Sequence, residues 1–236
     1  MSNQSFGDRM KAYEAVSQNT LMRRTPVIIR IDGKAFHTFT RGLNKPFDKT
    51  LSDAMAETTL ELCKQIQGAI FGYTQSDEIS ILLQDWKNLN TDCWFGYNVQ
   101  KVVSISASIA TAKFNQIFKH QTSSSYALFD SRAYNIPESE VVNYFIWRGS
   151  DCSRNSVSAL AQAYFSHKQL HGKSVTAMQD MLMLEHGVNW NDVETRYKRG
   201  ICIVPDSQEK FKIDFEPPLF TKDRSYIENL LKFNKD

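Results

Sequence analysis

The stretch Pro26-Val-Ile-Ile-Arg-Ile-Asp-Gly33 constrains this chain more than any other. Pro26 breaks what precedes it, and Val27, Ile28, Ile29 and Ile31 form a β-branched run that suits a strand buried on both faces. The run stops at Asp32-Gly33. That puts a carboxylate at a strand end beside a residue without Cβ, where a ligand or metal can approach the backbone. Two further apolar runs, Ala69-Ile-Phe-Gly-Tyr73 and Glu78-Ile-Ser-Ile-Leu-Leu83, flank Thr74-Gln-Ser-Asp77 and predict a hairpin with Asp77 at or near its tip. If the hairpin lies beside the first strand, Asp32 and Asp77 converge at one sheet edge. Two hard oxygen ligands with no His or Cys nearby in sequence suit Mg²⁺ bridged to phosphates better than zinc. A turn cap remains the plainer reading of each Asp, because Asp and Gly are the commonest turn formers.

A chain of 236 residues can bury a large core as one domain, or as one domain with a helical extension. The formal charge of +2 neither requires nor excludes nucleic acid, since a basic patch fits inside a near-neutral total. Cys63, Cys93, Cys152 and Cys202 are widely spaced and form no CxxC pair, which reads as reduced thiols and argues against zinc. The first eight residues lack a signal-peptide pattern, and no apolar run approaches the length of a membrane span. The expectation is a cytoplasmic protein with no membrane partner.

Along the chain, Phe6, Met10, Tyr13 and Val16 predict an amphipathic helix over 6–21. A loop over 41–48 leads into a helix over 49–67, with Pro46 and Asp48 marking its start and Gly68 its end. Strand, helix, then hairpin is a β-α-β-β order, as in a ferredoxin-like or polymerase-palm sheet. A second long helix spans 96–120, a surface loop 121–125, and a last strand 127–130, ended by Asp130-Ser-Arg132. The fold class is therefore α/β, or α+β. A palm-like antiparallel sheet of β-α-β-β-α-β type occupies residues 1–136. Residues 137–236 form a mainly helical region packed on it as one unit. Helices are expected there over 138–147, 155–170, 174–186 and 225–233, with a small hairpin over 200–215. Asp151 or Ser153 would cap the second of these helices.

Ile31-Asp-Gly-Lys-Ala-Phe-His-Thr-Phe-Thr40 together with Gly72-Tyr-Thr-Gln-Ser-Asp-Glu-Ile-Ser80 resembles the two signature blocks of the tRNA(His) guanylyltransferase family. That family includes guanylyltransferase-like proteins that add nucleotides in the 3′-to-5′ direction. Phe129-Asp-Ser-Arg132 and Tyr197-Lys-Arg-Gly200 echo later family elements. Trp147-Arg-Gly-Ser-Asp-Cys-Ser-Arg-Asn-Ser156 resembles a third block, W-R-x-x-D-C-H-I-N-N. Trp147, Arg148, Asp151, Cys152 and Asn155 hold, while Ser153, Arg154 and Ser156 depart. The intact form of that block belongs to the tRNA(His)-specific enzymes. The departure therefore points to the bacterial, archaeal or phage branch, whose members repair truncated tRNA 5′ ends.

The resemblance implies that Asp32, the Gly33 carbonyl and Asp77 hold two Mg²⁺ ions, with Glu78 completing a functional acidic pair. It implies ATP and GTP or other NTPs as substrates. Contacts to the nucleotide and its triphosphate would come from Arg30, Gly33, Lys34, Ala35, Phe36, His37, Lys45, Ser76 and Lys101. Read from the residues alone, Phe36 and Phe39 suit core, His37 a structural histidine and Lys101 a solvated helix lysine. Strand alternation points Glu78 to the face opposite Asp77. It puts Arg30 on the side of Asp32, as a phosphate contact or a neutralising partner. Phe47 departs from a Lys-Pro-Asn-Asp-like family segment around Lys45. The tRNA would meet Arg132, Arg148, Asp151, Arg154, Asn155, Lys198 and Arg199, among dispersed cations that also include Lys168, Lys173 and Arg196. A homo-oligomer is implied, tetrameric in many members. Three alternatives stay open: strict G addition to tRNA(His), a palm-type nucleotide cyclase, and a non-catalytic RNA-binding module.

Overall fold

A computed structural model describes residues 5–119 and 126–232. The loop expected over 121–125 and the last residue of the expected final helix lie outside these residues. In chain order the elements are α1 (Phe6–Ala15), β1 (Val27–Gly33), α2 (Phe36–Phe39), α3 (Lys49–Gln65), β2 (Ala69–Gln75), β3 (Glu78–Leu83) and α4 (Val99–Ile117). Then come β4 (Phe129–Asn135), α5 (Val141–Tyr164), α6 (His167–Leu170), α7 (Val175–His186), α8 (Thr195–Arg199), β5 (Ile201–Asp206), β6 (Lys210–Asp214) and α9 (Ser225–Glu228).

Among the described residues the strands form one sheet in the order β4-β1-β3-β2-β5-β6, every neighbouring pair antiparallel. The first four strands and the helices α3 and α4 give the expected β-α-β-β-α-β unit. The C-terminal hairpin extends the same sheet, β5 pairing with β2.

Period-two alternation divides the core. Val27, Ile29 and Ile31 of β1 join Ile79, Ile81 and Leu83 of β3 against Met55 and Leu62 of α3 and Val102 and Phe114 of α4. The intervening Ile28 and Leu82, with Phe71 and Tyr73 of β2, pack against Val142 and Phe145 of α5. With both faces covered, each fully buried large side chain contributes roughly 1.5–3 kcal/mol, and strand position is strongly specified.

Several boundaries differ from expectation. Helix α1 stops at Ala15, because Thr20 instead pairs with Asn98 and the Leu21 N–H donates to the Tyr97 carbonyl. None of its apolar residues is buried. Strand β4 begins near the point where the sequence suggested an end. As an edge strand it can place Asp130 and Arg132 opposite Asp32 and Arg30 of β1. Helix α5 runs straight through the break expected at 148–154, since Tyr144, Arg148, Cys152 and Ser156 recur at i+4 on its buried side. Packing there overrides the turn-like Gly149-Ser-Asp151, so neither Asp151 nor Ser153 is a cap. Helix α9 ends at Glu228.

Candidate active site

Strand β1 delivers Asp32 to the end of the sheet, where Asp32 is the register partner of Glu78 on β3 and of Asp130 on β4. The chain then turns sharply, with Ala35 in the left-handed region at φ +53°. Gly33 has a packing reason as well as the access suggested by the sequence. A Cβ there would lie 2.3 Å from Cδ2 of Phe36. Phe36 is buried and belongs to an aromatic cluster with Phe39, Phe114 and Phe129. Its main work is structural, as the residue pattern suggested.

The hairpin brings Asp77 to the same edge. Gln75 and Glu78 close a two-residue turn, and the Gly33 N–H donates to the Asp77 carbonyl at 3.1 Å. Ser76 adopts φ +50° in that turn, an uncommon conformation for a residue with a side chain, and its hydroxyl donates to Asp77 Oδ1 at 3.0 Å. Burial pushes the Asp77 carboxyl above the usual range. The charges of Asp32 and Glu78 push the same way, and the Ser76 hydrogen bond opposes them. Among the described residues no lysine or arginine forms an ion pair with Asp32 or Asp77.

One residue on, the environment reverses. Glu78 is buried, and both its oxygens accept from Arg148 Nη1, at 2.9 and 2.8 Å. Oε2 also accepts from Arg30 Nη2 at 2.5 Å. Arg148 continues to Asp151 at 3.3 Å, and Arg154 closes the chain onto Asp151 at 2.8 Å. Burial alone would raise the Asp151 carboxyl, yet Arg154 and Arg148 together hold it below the usual range. Arg30 therefore pairs with Glu78, the register partner of Asp32, rather than with Asp32 itself. Arg148 is buried on Glu78 and is not a surface contact for RNA. A carboxylate inside the apolar run Glu78–Leu83 needs a cation, and the i+4 stripe of α5 signals only that Arg148 lies on the buried side of its helix.

A cleft of about 460 Å³ opens at this edge, lined among others by Gly33, Ala35, His37, Lys45, Ser76 and Asp77. Lys34 is exposed beside it, its N–H donating to the Leu128 carbonyl. Lys101 is not brought there by its own chain. It sits exposed in the first turn of α4, whereas Thr111, two to three turns on, is the residue that meets Phe129 beside the edge. Ten residues of helix place Lys101 about 15 Å farther away.

A second cavity of about 190 Å³ adjoins the cleft and is lined by Phe47, Cys152, Asn155 and Tyr197. Phe47, the departure beside Lys45, stacks on Tyr197 at 4.5 Å between ring centres and 7° between planes. The sequence held no cue for that pairing across 150 residues. Gly200 lets Tyr73 approach, since its Cβ would lie 2.5 Å from the Tyr73 hydroxyl, which donates to the Arg199 carbonyl. Lys198 and Arg199 donate to the carbonyls of Asn191 and Pro217. Arg132, Arg154 and Asn155 are exposed, as are Lys168 and Lys173. In the altered third block, Ser153 donates to the Lys198 carbonyl at 2.7 Å and Ser156 accepts from Trp190 at 3.1 Å. These replacements tie α5 to the chain's own later segments.

The donor set fits Mg²⁺ held jointly with a substrate. Among the described residues no group of three or more His, Cys, Asp or Glu could hold a metal alone. Two cation-free carboxylates at one edge match an ion that keeps waters and shares phosphate oxygens.

Residues 7–137 match the family Thg1, tRNAHis guanylyltransferase. The chain belongs to this family. Thg1 relatives also agree beyond the matched region. A bacterial tRNA(His) guanylyltransferase (Thg1)-like protein in complex with ATP is 48% identical, with a TM-score of 0.93 over 98% of this chain and 100% of its own. Another structure, of such a bacterial Thg1-like protein in complex with GTP, is 43% identical, with a TM-score of 0.81 over 95% and 97%. A probable tRNA(His) guanylyltransferase of Dictyostelium discoideum is 26% identical over 86% of this chain and 83% of its own. This Thg1 chain is thus a nucleotidyltransferase, and no helix among its described residues is long and apolar enough to cross a membrane.

Proposed function

We propose that this enzyme extends the 5′ end of tRNA in the 3′-to-5′ direction, choosing each nucleotide by pairing with the opposite strand. The observation that carries the reading is the meeting of Asp32 and Asp77, without a cation partner, above a nucleotide-sized cleft. The similarity to Thg1-like proteins described with ATP and with GTP supports nucleoside triphosphates as its substrates.

The reaction takes two steps. The 5′-monophosphate of the RNA attacks the α-phosphorus of ATP, forming a 5′-5′ diphosphate and releasing pyrophosphate. The 3′-hydroxyl of an incoming NTP then attacks the RNA's 5′-phosphorus, forming a phosphodiester and releasing AMP. Asp32, Asp77 and the Gly33 carbonyl would hold two Mg²⁺, which when bound supply an activated oxygen nucleophile and charge stabilisation on the leaving phosphate. Lys45, His37 and Ser76 line the cleft where a triphosphate would lie. Arg30 and Arg148 keep Glu78 neutralised, so the acidic edge consists of Asp32 and Asp77. Exposed Arg132 and Arg154 offer contacts to the RNA backbone.

Repair of truncated tRNAs is favoured over strict tRNA(His) chemistry, because Ser153 and Ser156 spend their hydrogen bonds inside the protein. The test is incubation with Mg²⁺, ATP, all four NTPs and a 5′-labelled monophosphorylated tRNA lacking its first nucleotide, beside an Asp32→Ala control. Template-matched growth that the control lacks is expected. A folded sample that leaves the RNA untouched and turns ATP or GTP into a cyclic nucleotide would replace this reading with the cyclase one.

A further inference from the structure

Trp147 is 48% exposed although it lies between buried Phe145 and buried Arg148 on α5. Its protein side is firmly held. The Arg148 guanidinium carbon lies 3.5 Å from the ring centre, the Arg30 carbon 5.8 Å, and Tyr144 meets it edge-on at 5.8 Å and 67°. Arg148 is itself fixed by both oxygens of Glu78, the register partner of Asp32. One buried guanidinium thus links the exposed indole to the acidic edge. Isolated exposed aromatics are ordinary, but this one is held against two arginines that both bind Glu78, the register partner of Asp32. Arg132, opposite Arg30 in register, and Arg154 are 53% and 58% exposed at their side chains. Arg30 and Arg148 each also keep a buried Nε–H without an acceptor, leaving the ground beneath the ring electropositive.

A held aromatic face, with exposed Arg154 on the same helix and exposed Arg132 beside Arg30 on the sheet, supplies what stacking of a base and contact with its backbone need. We propose that Trp147 is the stacking platform for the terminal base at the 5′ end of the RNA, the end whose phosphate lies at Asp32 and Asp77. This rests on the reading of the edge given above. The base of a free NTP is the other source of the same chemistry. The 460 Å³ cleft, however, is lined from α2 and the segment before α3, whereas Trp147 stands on the α5 side of the sheet.

The test combines fluorescence and kinetics on the full chain. A hairpin RNA carrying an acceptor stem that lacks its first 5′ nucleotide is titrated without nucleotide, and ATP is titrated separately. The RNA should quench the wild-type emission and ATP alone should not. Trp147→Phe should lose most of that quench yet hold RNA affinity within about threefold, because a phenyl ring still stacks. Trp147→Leu should weaken RNA binding, and raise KM for RNA, about 5- to 100-fold with ATP affinity unchanged. Thermal melting checks that both variants are folded. A folded Trp147→Leu protein that binds and extends RNA as the wild type does would overturn the platform, as would quenching by ATP alone. Trp147-dependent quenching by RNA in a protein that extends nothing would leave the platform standing and remove the reaction instead.

Discussion

The two ends of β3 both carry carboxylates, and the protein treats them oppositely. At the far end Asp85 is completely buried, with Oδ1 accepting from the Arg24 N–H at 2.8 Å and Oδ2 3.6 Å from Arg23 Nε. At the near end Glu78 is buried on Arg148 and Arg30, while Asp77 beside it, and Asp32 across from Glu78, form no ion pair with a lysine or arginine among the described residues. The anchored acids organise arginines and close the structure. Burial and the charges of Asp32 and Glu78 make the ionised Asp77 costly in the folded state, a cost that an incoming cation would relieve. Ion-paired carboxylates therefore mark the scaffold, and carboxylates with no lysine or arginine partner mark the candidate site.

The largest effect expected from this contrast is at Glu78. Glu78→Ala would strand two arginine side chains, Arg148 almost fully buried, and breaking a buried pair costs about 3–5 kcal/mol. The variant should melt far below the wild type. Glu78→Gln should lose less, because the amide oxygen still accepts from Arg148. A Glu78→Ala protein that melts like the wild type would place Glu78 with the unanchored acids and break the comparison.

That distinction was only half legible in the sequence. The apolar runs, their register and the convergence of Asp32 with Asp77 followed from β-branched composition and period-two alternation, which are local. The Glu78–Arg148 pair spans 70 residues, and α5 hid it twice. Gly149-Ser-Asp151 looked like a helix start, and an arginine in a basic region looked like a nucleic-acid contact. Phe47 on Tyr197 left no trace in composition or periodicity. Lys101 was assigned by resemblance, and only the direction of α4 shows that within its own chain it lies at the end away from the cleft. Contacts set by tertiary packing were the part the chain did not announce.

A smaller effect sharpens the contrast between Asp77 and Asp85. The folded Asp77 carboxyl titrates above its unfolded range, so below that range both states are protonated and its charge costs nothing. As pH rises through the unfolded pKa towards the folded one, the unfolded chain releases its proton first and folding stability falls. The penalty is complete once pH exceeds the folded pKa. Asp77→Asn should therefore melt about 1–3 °C above the wild type at neutral pH without divalent ions, with the gap closing towards pH 3. Adding Mg²⁺ with ATP should raise the wild type alone. Asp85→Asn should go the other way, melting lower at neutral pH while activity per folded molecule stays. Destabilisation by both substitutions would mean that Asp77 is anchored after all.

The smallest effect comes from Lys101, and it tests whether position at an end of the sheet, rather than charge, decides function. Both lysines are exposed, and both were expected to touch a triphosphate. Lys45 lines the cleft beside Asp77, whereas Lys101 opens α4 near Asn98 at the Asp85 end. A charge-assisted hydrogen bond to phosphate contributes roughly 1.5–3 kcal/mol, so Lys45→Ala should raise KM for the NTP about 10- to 100-fold. Lys101→Ala should stay within about twofold, since an exposed charge that far from the site is screened at physiological salt. Equal losses from the two variants would mean that the Lys101 end meets a nucleotide supplied by another copy of the chain. The division between a closed end and a working end would then hold within one protomer but not across an assembly.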